Sequence, residues 1–188
     1  MKQVTVLGLS HFSTPVSVRE KLSLAAQDLP GIVAQLRQEC SLEGLILLST
    51  CSRFEIYMTH DSQQEQVAPV LTWLQKLSGL DLEPYLYKHQ GYPAVQHLFR
   101  VAAGLDSWII GESEILGQVK SAYQTSSQLH SAGRTFNILF QRALSAGKAV
   151  RQNTSIHEGI NSIGGATAML ARKIFGLNGA QSVLVFGA

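Results

Sequence analysis

Three short β-rich runs fall within the first sixty residues, with helical patterning between and after them. Residues 4–9 (VTVLGL) and 45–50 (LILLST) are nearly continuous apolar runs, as expected of buried strands. Residues 53–59 (RFEIYMT) alternate Phe54, Ile56 and Met58 against Glu55 and Tyr57, which predicts a strand with one apolar and one wet face. After the first run, Ser13 or Thr14 can cap a helix with Pro15 at its first position, and residues 32–40 continue as a second helix. Residues 66–77 predict a third helix with Pro69 in its first turn, and a short fourth strand is expected near residues 85–87. Strands and helices interleaved over about 90 residues predict an α+β fold, a small split-βαβ (ferredoxin-like) sandwich.

From residue 92 the texture turns helical. Val95, Leu98, Phe99 and Ala102 form one apolar stripe, and residues 115–129 continue with Leu116, Val119 and Tyr123. The cleanest periodicity joins Phe136, Leu139, Ala143, Ala146 and Val150, with Arg134, Arg142, Lys148 and Arg151 assigned to the opposite, solvated half. A further helix is expected over residues 166–175, stopped by Gly176 and Asn178-Gly179. The closing SVLVFGA is again apolar and β-rich, as a parallel strand entering a glycine-rich phosphate loop would be. The expected organisation is a sandwich packed on a helical subdomain over residues 1–155, a linking helix over 156–179, and the first strand of a truncated Rossmann domain over 180–188.

Charge and cysteine content exclude more than they assign. A net charge of +2 does not announce nucleic-acid binding. No apolar run approaches the roughly 20 residues that span a bilayer, and no signal peptide is read at the start. The two cysteines, Cys40 and Cys51, are expected to be reduced in a cytoplasmic setting, and the six histidines show no metal-ligand spacing with them.

Candidate chemistry gathers at two places. Ser49-Thr50-Cys51-Ser52-Arg53 sits at the junction of two predicted strands, where a side chain can project from a rigid edge. Cys51 there is either a small buried residue or a nucleophile, with Arg53 supplying a cation that favours thiolate or a fork for a carboxylate. Cys40 reads as structural. His97 lies off its helix's apolar stripe beside Gln96 and Arg100, so it is either solvated or a cleft-facing base. Glycines 104, 111 and 117 interrupt a helical pattern and suit turns, caps or a close backbone approach.

Taken in order, LGLSHFSTPVSVREKLS, LSTCSRFEIY, HLFRVAAGLDSWIIGESEILGQVKSAY and RALSAGKAVRQNTSI resemble the glutamyl-tRNA reductase family over nearly the whole chain. The resemblance implies that Cys51 attacks the ester of glutamyl-tRNA to give a thioester, that NADPH reduces this to glutamate-1-semialdehyde for tetrapyrrole synthesis, and that His97 assists. It implies that Thr50, Ser52, Arg53, Ser107, Glu112, Ser113, Glu114 and Gln118 contact substrate, and that Gly187 and Ala188 begin the cofactor loop. It further implies a full-length homodimer, a monomer for this stretch alone, an aminomutase partner, no membrane, and a cytoplasmic (in plants, plastid) setting. Without the cofactor domain, at most an esterase is expected. The sequence departs from the family pattern at Ser52, usually Asn, at Phe12-Ser13-Thr14, usually Lys-Thr-Ala, and at Gly164-Gly165-Ala166, usually Ser-rich. The alternatives are a non-catalytic tRNA- or partner-binding paralogue, and a general thiol hydrolase.

Overall fold

The computed structural model describes residues 2–61, 67–159, 161–176, 182 and 184. Strand β1 (Lys2–Ser10) leads into a single turn α1 (Val16–Arg19) that tightens to a 3-10 turn, then α2 (Leu29–Glu39), β2 (Gly44–Ser49), β3 (Arg53–Asp61), α3 (Val67–Ser78) and β4 (Tyr87–Gln90). Helices α4 (Tyr92–Ala103), α5 (Glu114–Gln128), α6 (Gly133–Asn153) and α7 (Ile163–Phe175) follow. The four strands make one antiparallel sheet in the order β2-β3-β1-β4, which is the split-βαβ arrangement. The expected strand over the last residues lies, apart from Ser182 and Leu184, outside the described residues.

The sheet is a middle layer. Leu7, Leu9, Phe54, Ile56 and Met58 pack on one face against α2 and α3. Val4, Val6, Ile46, Leu48 and Tyr57 pack on the other against α4, α5 and α6. The period of two along each strand sends neighbours to opposite faces, and both faces are covered. This corrects the wet face expected for β3, because Glu55 and Tyr57 are fully buried. The cover comes from helices far downstream, and Tyr57 meets Phe140 of α6 edge-on at 5.3 Å.

Two helical expectations also shift. Ser13 and Thr14 do not cap α1; its N-cap is Pro15, and both hydroxyls instead donate to the Tyr85 carbonyl at 3.4 Å. On α6 the buried face is Phe136, Phe140, Ala143 and Gly147, not the expected stripe through Leu139, Ala146 and Val150. Gly147 carries no apolar side chain and so escapes a hydropathy pattern, yet it decides the face. A Cβ there would lie 2.5 Å from the Ala102 carbonyl oxygen, so only glycine lets α6 cross α4 this closely. Arg151, expected on the solvated half, instead donates to the Ala102 carbonyl at 3.2 Å and to the Glu112 carbonyl. It thereby ties the end of α6 to the end of α4 and to the loop before α5.

That loop turns at Gly111, whose φ is +81°. A Cβ at Gly111 would sit 1.8 Å from the Ile156 carbonyl oxygen. Gly111→Ala is therefore expected to cost about 3 kcal/mol or more, combining a left-handed backbone with a clash against main chain. Urea unfolding of the variant reads this directly, and an unchanged midpoint would show that the 111–114 loop can move away.

Helix α7 begins earlier than expected, capped by Ser162, whose hydroxyl accepts from the Gly165 N–H at 3.1 Å, and it buries no side chain. No described helix is long and apolar enough to cross a membrane.

Candidate active site

The β2–β3 connection is a two-residue turn made of Cys51 and Ser52. The Thr50 N–H donates to the Arg53 carbonyl at 2.9 Å and closes it. Two-residue hairpins usually need a positive φ, but neither Cys51 nor Ser52 has one. The Thr50 hydroxyl compensates by accepting from the N–H groups of Ser52 at 3.2 Å and Arg53 at 3.1 Å. The tip is pinned from outside as well. The His11 N–H donates to the Ser52 carbonyl at 2.8 Å, and Arg19 Nη1 donates to the Cys51 carbonyl at 2.7 Å. All of these contacts hold main chain, which leaves the Cys51 side chain exposed on a fixed support. Cys40 is buried.

Cys51 opens on a small cavity of about 100 Å³. Its walls bring together Cys51, Ser52, Glu112, Glu114 and Gln118, with Ser162 and Gly164 from the start of α7. Glu114 and Gln118 also line a larger cleft of about 500 Å³ between α2 and α5, so the two spaces share a wall. Ser113 is exposed at the N-terminal end of α5 and lies outside this lining.

A second group lies beneath the sheet surface and centres on Glu55. Its Oε1 accepts from Arg53 Nη1 at 2.7 Å, from the Tyr87 hydroxyl at 2.6 Å and from His97 Nε2 at 3.0 Å. Its Oε2 accepts from the Tyr57 hydroxyl at 2.6 Å. An ionised carboxylate only accepts, so His97 carries the Nε2 proton. Burial alone would push the Glu55 carboxyl up, but the Arg53 charge and the hydrogen bonds from His97 and Tyr57 hold it well below the usual range. Burial and the charge of Glu55 push the Tyr57 and Tyr87 hydroxyls well up, so both remain donors. The register explains the space: Gly8 on β1 lies between Glu55 on β3 and Tyr87 on β4. A Cβ at Gly8 would fall 2.8 Å from Glu55 Cγ and 3.0 Å from the Tyr87 hydroxyl.

The expected residues thus divide. Arg53 is only 1% exposed at its side chain; one terminal nitrogen is on Glu55 and the other on the Asp106 carbonyl. Its fork is filled from within, not open toward the Cys51 cavity. His97, 13% exposed at its side chain, turns inward to Glu55, with Nδ1 3.8 Å from Asp106 Oδ2. Ser107 is buried, and its hydroxyl has no partner among the described residues, nor has Arg53 Nε. Sequence patterning assigns no site role to Glu55, Tyr57, Tyr87 or Asp106. The signal for the first two was present, since Arg53, Glu55 and Tyr57 stand at every second position and share one strand face. Gly187 and Ala188 lie outside the described residues.

Together these features define a split-βαβ domain, backed by helices, that presents an accessible thiol on a rigid hairpin tip beside a buried arginine–glutamate–histidine network. A sequence model of the glutamyl-tRNAGlu reductase N-terminal domain matches residues 7–154. The chain belongs to the glutamyl-tRNA reductase family. It is 44% identical over 188 residues to the glutamyl-tRNA reductase of Pelotomaculum thermopropionicum, covering 98% of this chain and 42% of that one. It is 40% identical over 189 residues to that of Neisseria meningitidis, covering 99% and 44%. Among solved structures, glutamyl-tRNA reductase from Methanopyrus kandleri superposes with a TM-score of 0.71 at 34% identity, over 92% of this chain and 40% of that chain. The chain therefore spans about two fifths of the length of the curated relatives it matches.

Proposed function

We propose that this chain carries out the acyl-transfer half of glutamyl-tRNA reduction, with Cys51 as nucleophile. The observation that carries the reading is the exposed Cys51 thiol, held over a cavity lined by Glu112, Glu114 and Gln118. The sulfur attacks the ester carbonyl of glutamyl-tRNA, a C–S bond forms, and the C–O bond to the terminal ribose breaks. The leaving ribose hydroxyl takes up a proton, and the glutamyl group stays on Cys51 as a thioester. Glu112 or Glu114 can receive the substrate ammonium, and Gln118 and Ser52 can hydrogen-bond its carboxylate. Arg53 and Glu55 act one layer further in, holding His97 beside the hairpin. NADPH, when bound, would supply the hydride that releases the acyl group as glutamate-1-semialdehyde, the entry compound of tetrapyrrole synthesis. The residues read as its loop, Gly187 and Ala188, lie outside the described residues, so no binding geometry is assigned.

On this reading residues 1–155 are the catalytic domain, 156–179 a linking helix, and 180–188 the opening of the cofactor domain. The full-length enzyme is a cytoplasmic homodimer that hands its aldehyde to an aminomutase. The test is to incubate the chain with glutamyl-labelled glutamyl-tRNA and quench in acid. A label that stays on protein through acid and is released by hydroxylamine is expected. If the chain binds glutamyl-tRNA and no label is trapped, the non-catalytic tRNA-binding reading replaces this one.

A further inference from the structure

Next to the Cys51 turn, outside the lining of its cavity, lies an aromatic patch that the acyl-transfer chemistry does not use. Phe12 is 71% exposed and Trp108 58%, with Val16 and Ile110 also exposed nearby in the chain. The His11 ring joins the two aromatics, at 4.0 Å from the Phe12 ring and 5.3 Å, edge-on, from Trp108. The Arg19 guanidinium lies over the Trp108 ring at 5.7 Å and holds the Cys51 carbonyl with Nη1. The width of one guanidinium therefore separates the tryptophan from the main chain of the nucleophile. Arg19 forms no ion pair with a carboxylate among the described residues.

Large exposed aromatics are costly unless something covers them, and a flat ring with an unneutralised cation beside it suits a particular ligand. Every nucleobase has a π-face that stacks on tryptophan, and the phosphate attached to it pairs with arginine. Arg19 also bonds the main chain of the residue whose sulfur would attack the ester, so a phosphate on it would lie next to the ester-bearing nucleotide. We infer that Trp108, with Phe12 at its flank, is a stacking platform for the terminal base of the nucleic-acid 3′ end whose ester Cys51 attacks, and that Arg19 contacts the adjoining phosphate. The inference rests on the acyl-transfer reading for the ester, but the platform is a binding site in its own right. It deepens that reading by placing the nucleoside on the Trp108 side of the hairpin tip and the glutamyl group on the Glu114 side.

The chain has two tryptophans, and the other, Trp73, is buried in the α2–α3 layer. Trp73 gives a buried background, so the part of any ligand-dependent fluorescence change that is lost in Trp108→Ala reports on Trp108. Titration with the non-aminoacylated ribotrinucleotide CCA is expected to quench the fluorescence saturably, and added salt is expected to weaken the binding through its phosphates. Trp108→Ala should weaken trinucleotide binding by about tenfold or more, followed by filter binding or anisotropy, while Trp108→Phe retains most of it. An unchanged circular dichroism spectrum confirms that Trp108→Ala is folded. Absence of quenching at millimolar trinucleotide, or equal affinity in wild type and Trp108→Ala, overturns the inference. So does a fall in self-association of Trp108→Ala with no change in trinucleotide affinity, which would make the patch a protein contact. If thioester forms and trinucleotide affinity ignores Trp108, the platform alone is wrong. If trinucleotide binds through Trp108 and no thioester forms, the platform stands and the acyl-transfer reading falls.

Discussion

Cys51→Ser is expected to leave the fold intact and to reduce discharge of glutamyl-tRNA to the uncatalysed background. The turn owes its shape to Thr50, His11 and Arg19, each bonded to main chain, so changing sulfur to oxygen disturbs none of those contacts. The chemistry is another matter, because an unactivated hydroxyl at neutral pH is a far poorer nucleophile than a thiol. Loss of a nucleophile typically costs about 10³-fold or more in rate. Discharge of labelled glutamyl-tRNA by wild type and variant, alongside thermal melts of both, separates the two effects. Equal discharge by two equally stable proteins would remove Cys51 from the mechanism.

The second large effect is on stability. Glu55→Gln keeps the shape of the side chain but leaves the buried Arg53 guanidinium without its countercharge. Breaking one partner out of a buried ion pair costs about 3–5 kcal/mol, a large part of the roughly 5–15 kcal/mol that holds a domain together. The Tyr57 and Tyr87 hydroxyls and His97 Nε2 would also meet a weaker acceptor. The same pair makes a pH signature. The folded-state pKa of Glu55 is depressed, so its contribution is fully present above the unfolded carboxylate value of about 4.3. It is lost as the pH falls below that value toward the folded pKa, because the unfolded chain takes up a proton that the folded chain refuses. Urea midpoints of wild type and Glu55→Gln should accordingly converge on acidification below about pH 4.3 and stay apart above it. A constant gap across that range would mean that Glu55 takes up its proton at the same pH in the folded and unfolded chains, so that the network does not hold it ionised.

How far the sequence reveals this molecule depends on the distance over which each feature is built. The strand runs, their interleaving with helices, and the α+β class follow from local patterning, and sheet order agrees with the split-βαβ expectation. Glu112, Glu114 and Gln118 in the thiol's cavity follow from family resemblance alone, since nothing in their spacing links them to Cys51, and Ser162 and Gly164 at the start of α7 are not expected there at all. The pattern of β3 predicts a solvent-facing Glu55 because a period of two separates the faces of a strand but does not tell a wet polar face from a covered one. Arg53 and Tyr57 donate from the same strand, but the space for Glu55 comes from Gly8 and its other two donors are Tyr87 and His97, on three other elements. The face of α6 slipped for a related reason. A hydropathy pattern rewards large apolar side chains, whereas that crossing is set by the smallest residue in it, Gly147.

The two-residue connection between β2 and β3 has a kinetic consequence. The β2–β3 turn and its Thr50 bonds are made by neighbours in sequence, with His11 and Arg19 pinning the tip later, whereas β1 must insert between β3 and β4 before the carboxylate beneath it meets all four donors. Closing a short hairpin takes about 1–10 µs, and pairings that span long loops come later. During refolding, amide protection should therefore rise first across residues 44–59 and last along the β1–β4 seam. A nascent chain would then display its thiol before the charges behind it are in place, and at that stage Cys51 should react with small alkylating agents without discharging glutamyl-tRNA.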